Sequence, residues 1–383
     1  MQLSLKWNLL NGKIVKTLNA TYKHYLQTIT WEKGVTMRYL SAPVIRTIAI
    51  ISVIAIHATN EAITPQMTQL DFYRWSIVNV YQAMFRVAGL PLFVMLTGFL
   101  LLQPEKYSES LSTFFKKRWN RLAVCVFFFG ILYFIWDFTV KNQPFTTNYV
   151  IQSLLSVGPY YHFWYLYMIV GLYLLTPILR ALMPNLSKKL LIYFAAIWFT
   201  GITLVSLVPM FGFTFNTDMF PLLGFLGYFV LGAFLPKIKV KTKYLLIFII
   251  AGIITISLGT YYMAWFGNPK LYFFQEYLSP FVIVTSMMLF VVLFKTTPGR
   301  IEKKKKLSVL VNTISDYTLP IFLLHPIIME SLQNGYFGFA INGNVINQVI
   351  EVPILTFATL AICLAIIIPV SKIPIVKKLV GIN

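Results

Sequence analysis

Long apolar stretches recur along this chain and alternate with short polar segments. A helix of roughly 17–25 mostly apolar residues crosses a hydrocarbon core about 30 Å thick. By that measure, about ten stretches are long enough to span a membrane. Their approximate positions are 43–60, 84–103, 120–140, 161–181, 190–208, 220–236, 244–264, 277–294, 312–331 and 349–370. The pattern therefore predicts an all-α polytopic membrane bundle with about ten transmembrane helices.

The composition supports this prediction and excludes several other classes of protein. Hydrophobic residues make up 58% of the chain and charged residues only 11%, whereas soluble domains are about 45–50% apolar and about 25% charged. This balance excludes a disordered chain, a disulfide scaffold and a nucleic-acid-binding domain, although the net charge of +20 would otherwise suggest nucleic acid as a partner. Cys125 and Cys363 lie in apolar stretches, so they indicate neither a disulfide nor a metal site.

Lys and Arg residues are distributed unevenly between alternate polar segments. They are concentrated before the first span and in the segments 104–121, 180–189, 237–243, 295–306 and 372–378. The intervening loops contain only Arg74, Lys141 and Lys270. Because loops that stay in the cytoplasm carry the excess of positive charge, we expect both termini to be cytoplasmic. An even number of spans agrees with that expectation.

The same assignment divides the chain into three parts. We expect a cytoplasmic N-terminal segment at 1–42, a membrane domain at 43–371 and a short cytoplasmic tail at 372–383. The N-terminal segment lacks the pattern of a cleavable signal peptide, so we expect the first span to be retained. The longest connection between spans is expected near 60–83. No soluble domain is predicted, and the chemistry is therefore expected within the membrane or at its edge.

Ionisable side chains inside the predicted spans are the first candidates for function, since an unpaired charge in a membrane helix is costly. Arg46 and His57 both lie in the first span. Their spacing places them on one face of a helix, about 16 Å apart along its axis. Each also has a structural explanation, because Arg46 could extend to the cytoplasmic headgroups and His57 could hydrogen-bond a neighbouring helix.

Three further arginines are candidates for different reasons. Arg86 enters the second predicted span from the outer side, where no topological rule requires a positive charge. It should be paired or hydrated, and Asp137 and Glu61 are candidate partners. Arg118 and Arg121 lie on the predicted cytoplasmic side, where they are either phosphate-binding groups or topology signals.

Two histidines lie toward the predicted outer ends of later spans. His162 and Trp164 belong to an aromatic segment that resembles an interfacial belt, so packing is the plainer explanation. The aromatic rings could instead stack on a sugar. His325 lies in the predicted span near 312–331 and is a further candidate for contact with a substrate.

Several motifs, in chain order, resemble those of the acyltransferase 3 family of membrane acyltransferases. The first is Arg46 followed, after ten intervening residues, by His57. The others are the segment from Arg86 to Gly98, the pair Arg118-Trp-Asn-Arg121, the segment His162-Phe-Trp164 with Tyr173 and Pro177 after it, the segment from Phe225 to Gly232, and the segment from Ile314 to His325-Pro326. The resemblance covers about residues 43–330 and includes the expected number of spans.

The chain departs from the family pattern at a few positions. Pro43 and Thr47 stand where an acidic residue and a glycine are common, and Thr97-Gly98-Phe99 replaces the commoner Ser-Gly-Tyr. The first departure removes a potential carboxylate partner for Arg46. The orientation of that arginine must therefore depend on other groups.

The resemblance implies a membrane acyltransferase of the single-domain O-acetyltransferase type. Its donor substrate would be acetyl-coenzyme A or another acyl-coenzyme A, with no permanently bound cofactor and no metal. Its acceptor would be a hydroxyl of a cell-surface glycan or of a lipid-linked sugar. The implied location is the plasma membrane of a bacterium, where the chain would cross the lipid bilayer many times.

Acyl transfer from a thioester to a hydroxyl needs a base for the acceptor proton and positive charge for the donor phosphates. An imidazole can accept that proton near neutral pH without leaving a permanent charge in lipid. His57 is therefore the predicted catalytic residue, either as a base or as the carrier of a covalent acyl group. The predicted donor-binding residues are Arg46, Arg86, Arg118 and Arg121, and the candidate substrate-binding residues are His162, Trp164 and His325.

Two other functions are compatible with many helices and buried polar groups. One is a transporter or flippase for glycans or lipid-linked sugars, and the other is an acyl-carrier channel or assembly subunit. Labelled acetyl-coenzyme A separates them, because only an acyltransferase should consume the donor. The sequence makes no prediction about the identity of the acceptor, the side on which it is modified or the oligomeric state.

Overall fold

The computed structural model of the protein describes residues 41–59, 69–156, 158–211, 220–266, 273–296, 304–343 and 346–381. Within these ranges the backbone forms helices and no β-strand. The α-helices, numbered in chain order, are α1 (Ala42–Ala58), α2 (Gln69–Ala88), α3 (Leu90–Leu101), α4 (Leu111–Thr139), α5 (Thr147–Leu155), α6 (Trp164–Leu182), α7 (Lys188–Leu207), α8 (Phe220–Gly232), α9 (Thr242–Trp265), α10 (Pro280–Thr296), α11 (Lys305–Asp316), α12 (Thr318–Gln333), α13 (Gln348–Val370) and α14 (Pro374–Leu379). The predicted all-α class is confirmed. The predicted N-terminal segment lies almost entirely outside the described residues.

Many of these helices are suited to a membrane. Six helical segments among the described residues are long and apolar enough to cross one, and the bent pair α11 and α12 forms a seventh if it is counted as one span. Shorter apolar helices at Ala42–Ala58, Leu222–Lys237 and Pro280–Thr296 coincide with three other predicted spans. The protein is therefore a multi-pass helical membrane protein. The number of ten crossings, the cytoplasmic termini and the domain boundaries stay predictions.

The second predicted span begins much earlier than the apolar pattern indicates. Helix α2 starts at Gln69, within the predicted connection at 60–83, and the apolar helical segment to which it belongs begins at Arg74. Asn79 and Gln82 are buried inside the protein. Hydropathy counts such polar side chains against a membrane helix, since it cannot recognise that they face other helices and not lipid.

A break between α2 and α3 divides the same span. Pro91 lies in the first turn of α3, and because it has no N–H and its ring clashes with the preceding turn, a regular helix cannot continue through it. Gly89 precedes the break with φ −84° and ψ −115°, which is outside the helical region. Arg86 consequently lies in the last turn of α2.

The predicted span at 312–331 is also not a single straight helix. The axes of α11 and α12 differ by 77°, and Tyr317 connects them. Pro320 explains the bend, because its ring would clash with the carbonyl of Asp316 if the helix continued unchanged. The bend directs α12 into the protein, where most of its side chains are buried.

Close helix packing brings α3 and α8 together. A Cβ atom added to Gly98 would overlap the backbone of Phe229, and one added to Gly232 would overlap the backbone of Met95. Only glycine permits this approach, as is common between membrane helices. The first helix, α1, lies at the centre of the bundle and contacts α2, α3, α11, α12 and α13.

One end of the bundle is marked by contacts of Arg180, in the last turn of α6. Its Nε donates a hydrogen bond to the carbonyl of Leu101 at the end of α3, 2.8 Å away, and its Nη1 pairs with Glu109 just before α4. We call this the basic end. Helices α2 and α6 therefore begin at the other end, which we call the opposite end.

Candidate active site

Three histidines from distant parts of the sequence meet inside the bundle. The ring of His57, in the last turn of α1, stacks on the ring of His325 from α12 with 5.2 Å between centroids. His162 lies 5.7 Å from His325, also between ring centroids. Tyr161 covers the other side of His57 at 4.9 Å. We call His57, His162 and His325 the histidine cluster.

The proton on His325 is assigned by its surroundings. Its Nδ1 atom lies 2.8 Å from the carbonyl oxygen of Phe322, and a carbonyl can only accept, so Nδ1 carries the hydrogen and Nε2 holds a lone pair. The Phe322 carbonyl has no helical donor four residues later, because that residue is Pro326 and lacks an N–H. The His-Pro sequence thus produces a neutral imidazole whose Nε2 can accept a proton.

The other predicted substrate-binding residues differ in how close they are to His57. His162 is buried against Tyr133, with 5.1 Å between ring centroids. Neither of its ring nitrogens has a hydrogen-bond partner among the described residues. Trp164 instead contacts the ring of Tyr277 at 6.4 Å. His162 is therefore packed inside the bundle, where its ring contacts His325.

Arg86 lies in the last turn of α2, near the middle of the apolar segment Arg74–Leu101 and not at its start as the apolar pattern predicts. The segment extends from Arg74 to Leu101, because the polar helix before Arg86 is buried in protein. The Arg86 guanidinium lies 4.9 Å from the centre of the Tyr277 ring and close enough to interact electrostatically with His57. The candidate partner Asp137 instead accepts a hydrogen bond from the hydroxyl of Tyr149, 2.8 Å away.

A second group of charged residues lies at the basic end. Lys117 Nζ is 2.8 Å, Arg118 Nη1 is 3.5 Å and Arg180 Nη1 is 3.0 Å from the carboxylate of Glu109. The guanidinium groups of Arg118 and Arg180 both lie over the ring of Phe114, at 4.3 and 4.7 Å from its centre. We call Lys117, Arg118 and Arg180 the cation cluster.

Positive charge exceeds negative charge in this arrangement. Desolvation raises the pKa of Glu109, but hydrogen bonds from Lys117 and Arg180 and the charge of Arg118 outweigh it and lower the pKa to about 2. Glu109 is therefore a permanent anion that neutralises one of three cations. Arg180 is only 4% exposed, and its Nη2 has no hydrogen-bond partner in the described part of the chain. An additional anion would complement this group.

The predicted donor-binding residues do not all lie in one place in the structure. It brings Arg118 into the cation cluster, whereas Arg46 is half-buried in α1 and the side chain of Arg121 lies outside the described residues. Sequence reasoning missed Glu109 and assigned Arg180 to topology alone. The available signal was an arginine inside the apolar segment 161–181, where a charge requires a partner.

Helix α4 connects the two clusters. Arg118 lies near its start, and Tyr133, which contacts His162, lies toward its end. The helical rise separates these two positions by about 22 Å. The arrangement thus holds an excess of positive charge at the basic end and a cluster of imidazoles about 22 Å farther along the bundle.

The comparison with known protein families identifies the family of this chain. The family profile described as an acyltransferase domain, which defines the acyltransferase 3 family, matches residues 41–368. The chain belongs to this family. The match spans both clusters and nearly all of the described helices, and it confirms the resemblance seen in the motifs. Membership of this acyltransferase family supports membrane acyltransferase activity. No curated protein and no solved structure matches the chain.

Among the described residues, no group of three or more His, Cys, Asp and Glu side chains has the arrangement of a metal site. Cys125 and Cys363 are both buried as free thiols.

Proposed function

We propose that the protein transfers an acetyl group from acetyl-coenzyme A to a hydroxyl of a cell-surface glycan or a lipid-linked sugar, in the plasma membrane of a bacterium. The observation that carries the proposal is the presence of two clusters of suitable chemistry in one acyltransferase bundle. The cation cluster suits a polyanionic donor, and the histidine cluster suits removal of a proton from an alcohol. About 22 Å separates them along α4.

The donor phosphates would bind at the basic end, which the distribution of Lys and Arg assigns to the cytoplasm. The planar guanidinium groups of Arg118 and Arg180 match the geometry of phosphate oxygens. The flexible arm of the donor would extend along the bundle toward the histidine cluster. The phosphates and the thioester of the donor would thus lie at different places along the bundle, which accounts for the distance between the cation cluster and the histidine cluster.

His57 is the proposed base. Its imidazole would accept the proton of the acceptor hydroxyl while the hydroxyl oxygen attacks the thioester carbonyl carbon. When the tetrahedral intermediate collapses, the carbon–sulfur bond breaks, and the imidazolium returns the proton to the leaving thiolate. The positive charge of Arg86 beside His57 would stabilise the negative oxygen of the intermediate.

His325 would act as a positioning residue for this step. Its stacking contact with His57 limits the orientation of the catalytic imidazole. The bond from His325 Nδ1 to the Phe322 carbonyl in turn holds the His325 ring. Because the His325 ring is held in place, less entropy has to be lost when the reacting groups align.

The test uses purified protein in lipid nanodiscs with acetyl-coenzyme A labelled in its acetyl group. An acyltransferase should release free coenzyme A and move the label to a glycan or lipid-linked sugar fraction of the producing cell. Label that stays on the protein and moves to the acceptor in a chase would indicate an acyl-His57 intermediate. Sugar movement across the membrane without donor consumption would support a flippase and contradict the proposal.

A further inference from the structure

Helix α2 carries polar and amphipathic side chains along one buried face. Trp75, Asn79, Gln82 and Arg86 follow one another at spacings of four, three and four residues, which places them on the same side of a helix. Trp75, Asn79 and Gln82 are 1%, 1% and 2% exposed. We call these four residues the polar stripe.

The stripe faces polar groups from other parts of the chain. Asn79 Nδ2 donates a hydrogen bond to the carbonyl of Ser257 in α9, 2.8 Å away. Gln275, which is fully buried just before α10, donates from its Nε2 to the side-chain oxygen of Asn79. Asn79 therefore has both kinds of partner and holds α2 against its neighbours.

The remaining groups of this region are not satisfied in the same way. Trp75 Nε1, Gln82 Oε1, Gln275 Oε1 and Arg86 Nε are buried without a hydrogen-bond partner among the described residues. Buried polar atoms are nearly always paired, and unpaired ones are especially costly where water is excluded. Several such atoms on one stripe indicate that a polar ligand supplies their partners.

The position of the stripe relates it to the histidine cluster. At its inner end, beyond Arg86, α2 packs against α1 next to His57, because a Cβ atom added to Gly89 would lie 3.3 Å from the Cδ1 atom of Ile56. From there to Trp75 the stripe extends about 16 Å along α2, toward the opposite end of the bundle where α2 begins. It therefore leads away from the cation cluster, on the side that the donor phosphates would not use.

The chemistry of the stripe identifies the kind of ligand. Gln82 and Gln275 offer carbonyl oxygens that accept hydrogen bonds, and Trp75 offers an N–H that donates one. These three groups are neutral. A chain of neutral hydroxyl groups, which both donate and accept, matches them, and Arg86 is the one charged residue among the four of the stripe.

We propose that the polar stripe binds a polyhydroxylated acceptor and delivers one of its hydroxyl groups to His57 from the opposite end of the bundle. This inference rests on the proposed function and assigns the acceptor to a separate entry route from the donor. The donor then approaches from the basic end, and the two substrates meet at the histidine cluster.

The test is the substitution Gln82→Met, which removes the amide of Gln82 but keeps a side chain of nearly the same size. The matched control is Gln333→Met, because Gln333 is also buried near the opposite end but lies in α12 and not on the stripe. Purified proteins in nanodiscs receive labelled acetyl-coenzyme A. An aqueous glycan extract and a lipid-linked sugar extract of the producing cell are titrated as acceptors in separate arms.

We expect Gln82→Met to raise the apparent KM for the acceptor by about five- to tenfold, the loss of one neutral hydrogen bond. The KM for acetyl-coenzyme A should not change, and the arm that responds identifies the source of the acceptor. The melting temperature should stay the same or rise, because Gln82 Oε1 has no partner to lose. Gln333→Met should leave both KM values unchanged.

Three outcomes would overturn the inference. The first is an acceptor KM that is the same in Gln82→Met and in an active wild-type protein. This result would leave the proposed function intact. Another is an increase in both KM values with a lower melting temperature, which would make the stripe structural. The third is a wild-type protein that consumes no donor, which overturns the proposed function and this inference together.

Discussion

Replacement of Arg180 is the most direct test of the proposed binding of the donor at the cation cluster. Arg180→Gln removes a guanidinium that is buried and paired with Glu109 at 3.0 Å, and whose Nη2 has no hydrogen-bond partner among the described residues. Lys117 and Arg118 remain beside Glu109 in this variant. The substitution therefore removes one proposed phosphate-binding group without leaving the carboxylate unpaired.

The expected size follows from the type of contact that is lost. A hydrogen bond between a guanidinium and a phosphate contributes about 1.5–3 kcal/mol. Since about 1.4 kcal/mol corresponds to a factor of ten, Arg180→Gln should raise the KM for acetyl-coenzyme A by about 10- to 150-fold. The maximal rate at saturating donor should change little, because the reacting atoms lie at the histidine cluster.

The assay compares two donors that carry the same thioester. Acetyl-pantetheine lacks the phosphate groups of acetyl-coenzyme A, so its KM should be unaffected by Arg180→Gln. Lys188→Gln is the matched control, because Lys188 is an exposed cation at the start of α7, a few residues after Arg180, and its loss changes the net charge equally. An equal increase in KM for both donors would refute the reasoning and assign Arg180 to structure. So would an unchanged KM for acetyl-coenzyme A.

Three further predictions concern single residues. His57→Ala should abolish transfer while the protein inserts and purifies normally, and near wild-type turnover would contradict the catalytic assignment. Pro326→Ala should lower the rate of transfer, because a new N–H at residue 326 would compete with His325 Nδ1 for the Phe322 carbonyl; an unchanged rate in the labelled-donor assay would show that this bond is unimportant. The depressed pKa of Glu109 stabilises the folded state above the ordinary value of 4.5, and this contribution is lost as the pH falls toward about 2. The difference in melting temperature between wild type and Glu109→Gln should therefore shrink from pH 6 to pH 3, and a constant difference would contradict the ion-pair assignment.

Some features of this protein could be predicted from local sequence alone. Helices with apolar surfaces are recognisable because hydrophobicity is summed over neighbouring residues, and the predicted span near 43–60 corresponds to α1 within a few residues. The placement of Arg46 and His57 on one face of a helix could also be predicted, since both belong to α1 and their spacing in the sequence determines it. The motifs of the family are short runs of neighbouring residues, and the family match confirms them.

Other features depended on the tertiary structure. Residues 69–83 are helical although their polar side chains suggested a connection, because burial against other helices replaces the contacts that water would provide. The ion pair of Arg180 with Glu109 joins the end of α6 to the segment just before α4. Such a pair has no periodic signal in the sequence.

The histidine cluster shows the same distinction most clearly. The sequence by itself determined that His57 lies in a membrane helix and that Pro326 follows His325, because both facts concern neighbouring residues. Only the tertiary structure decided that His57, His162 and His325 share one site, since they come from three helical elements far apart in the chain. Hydrophobicity drives helices to pack but is non-directional. The faces that meet are therefore selected by close backbone contacts such as the one at Gly98 and by bends such as the one before Pro320.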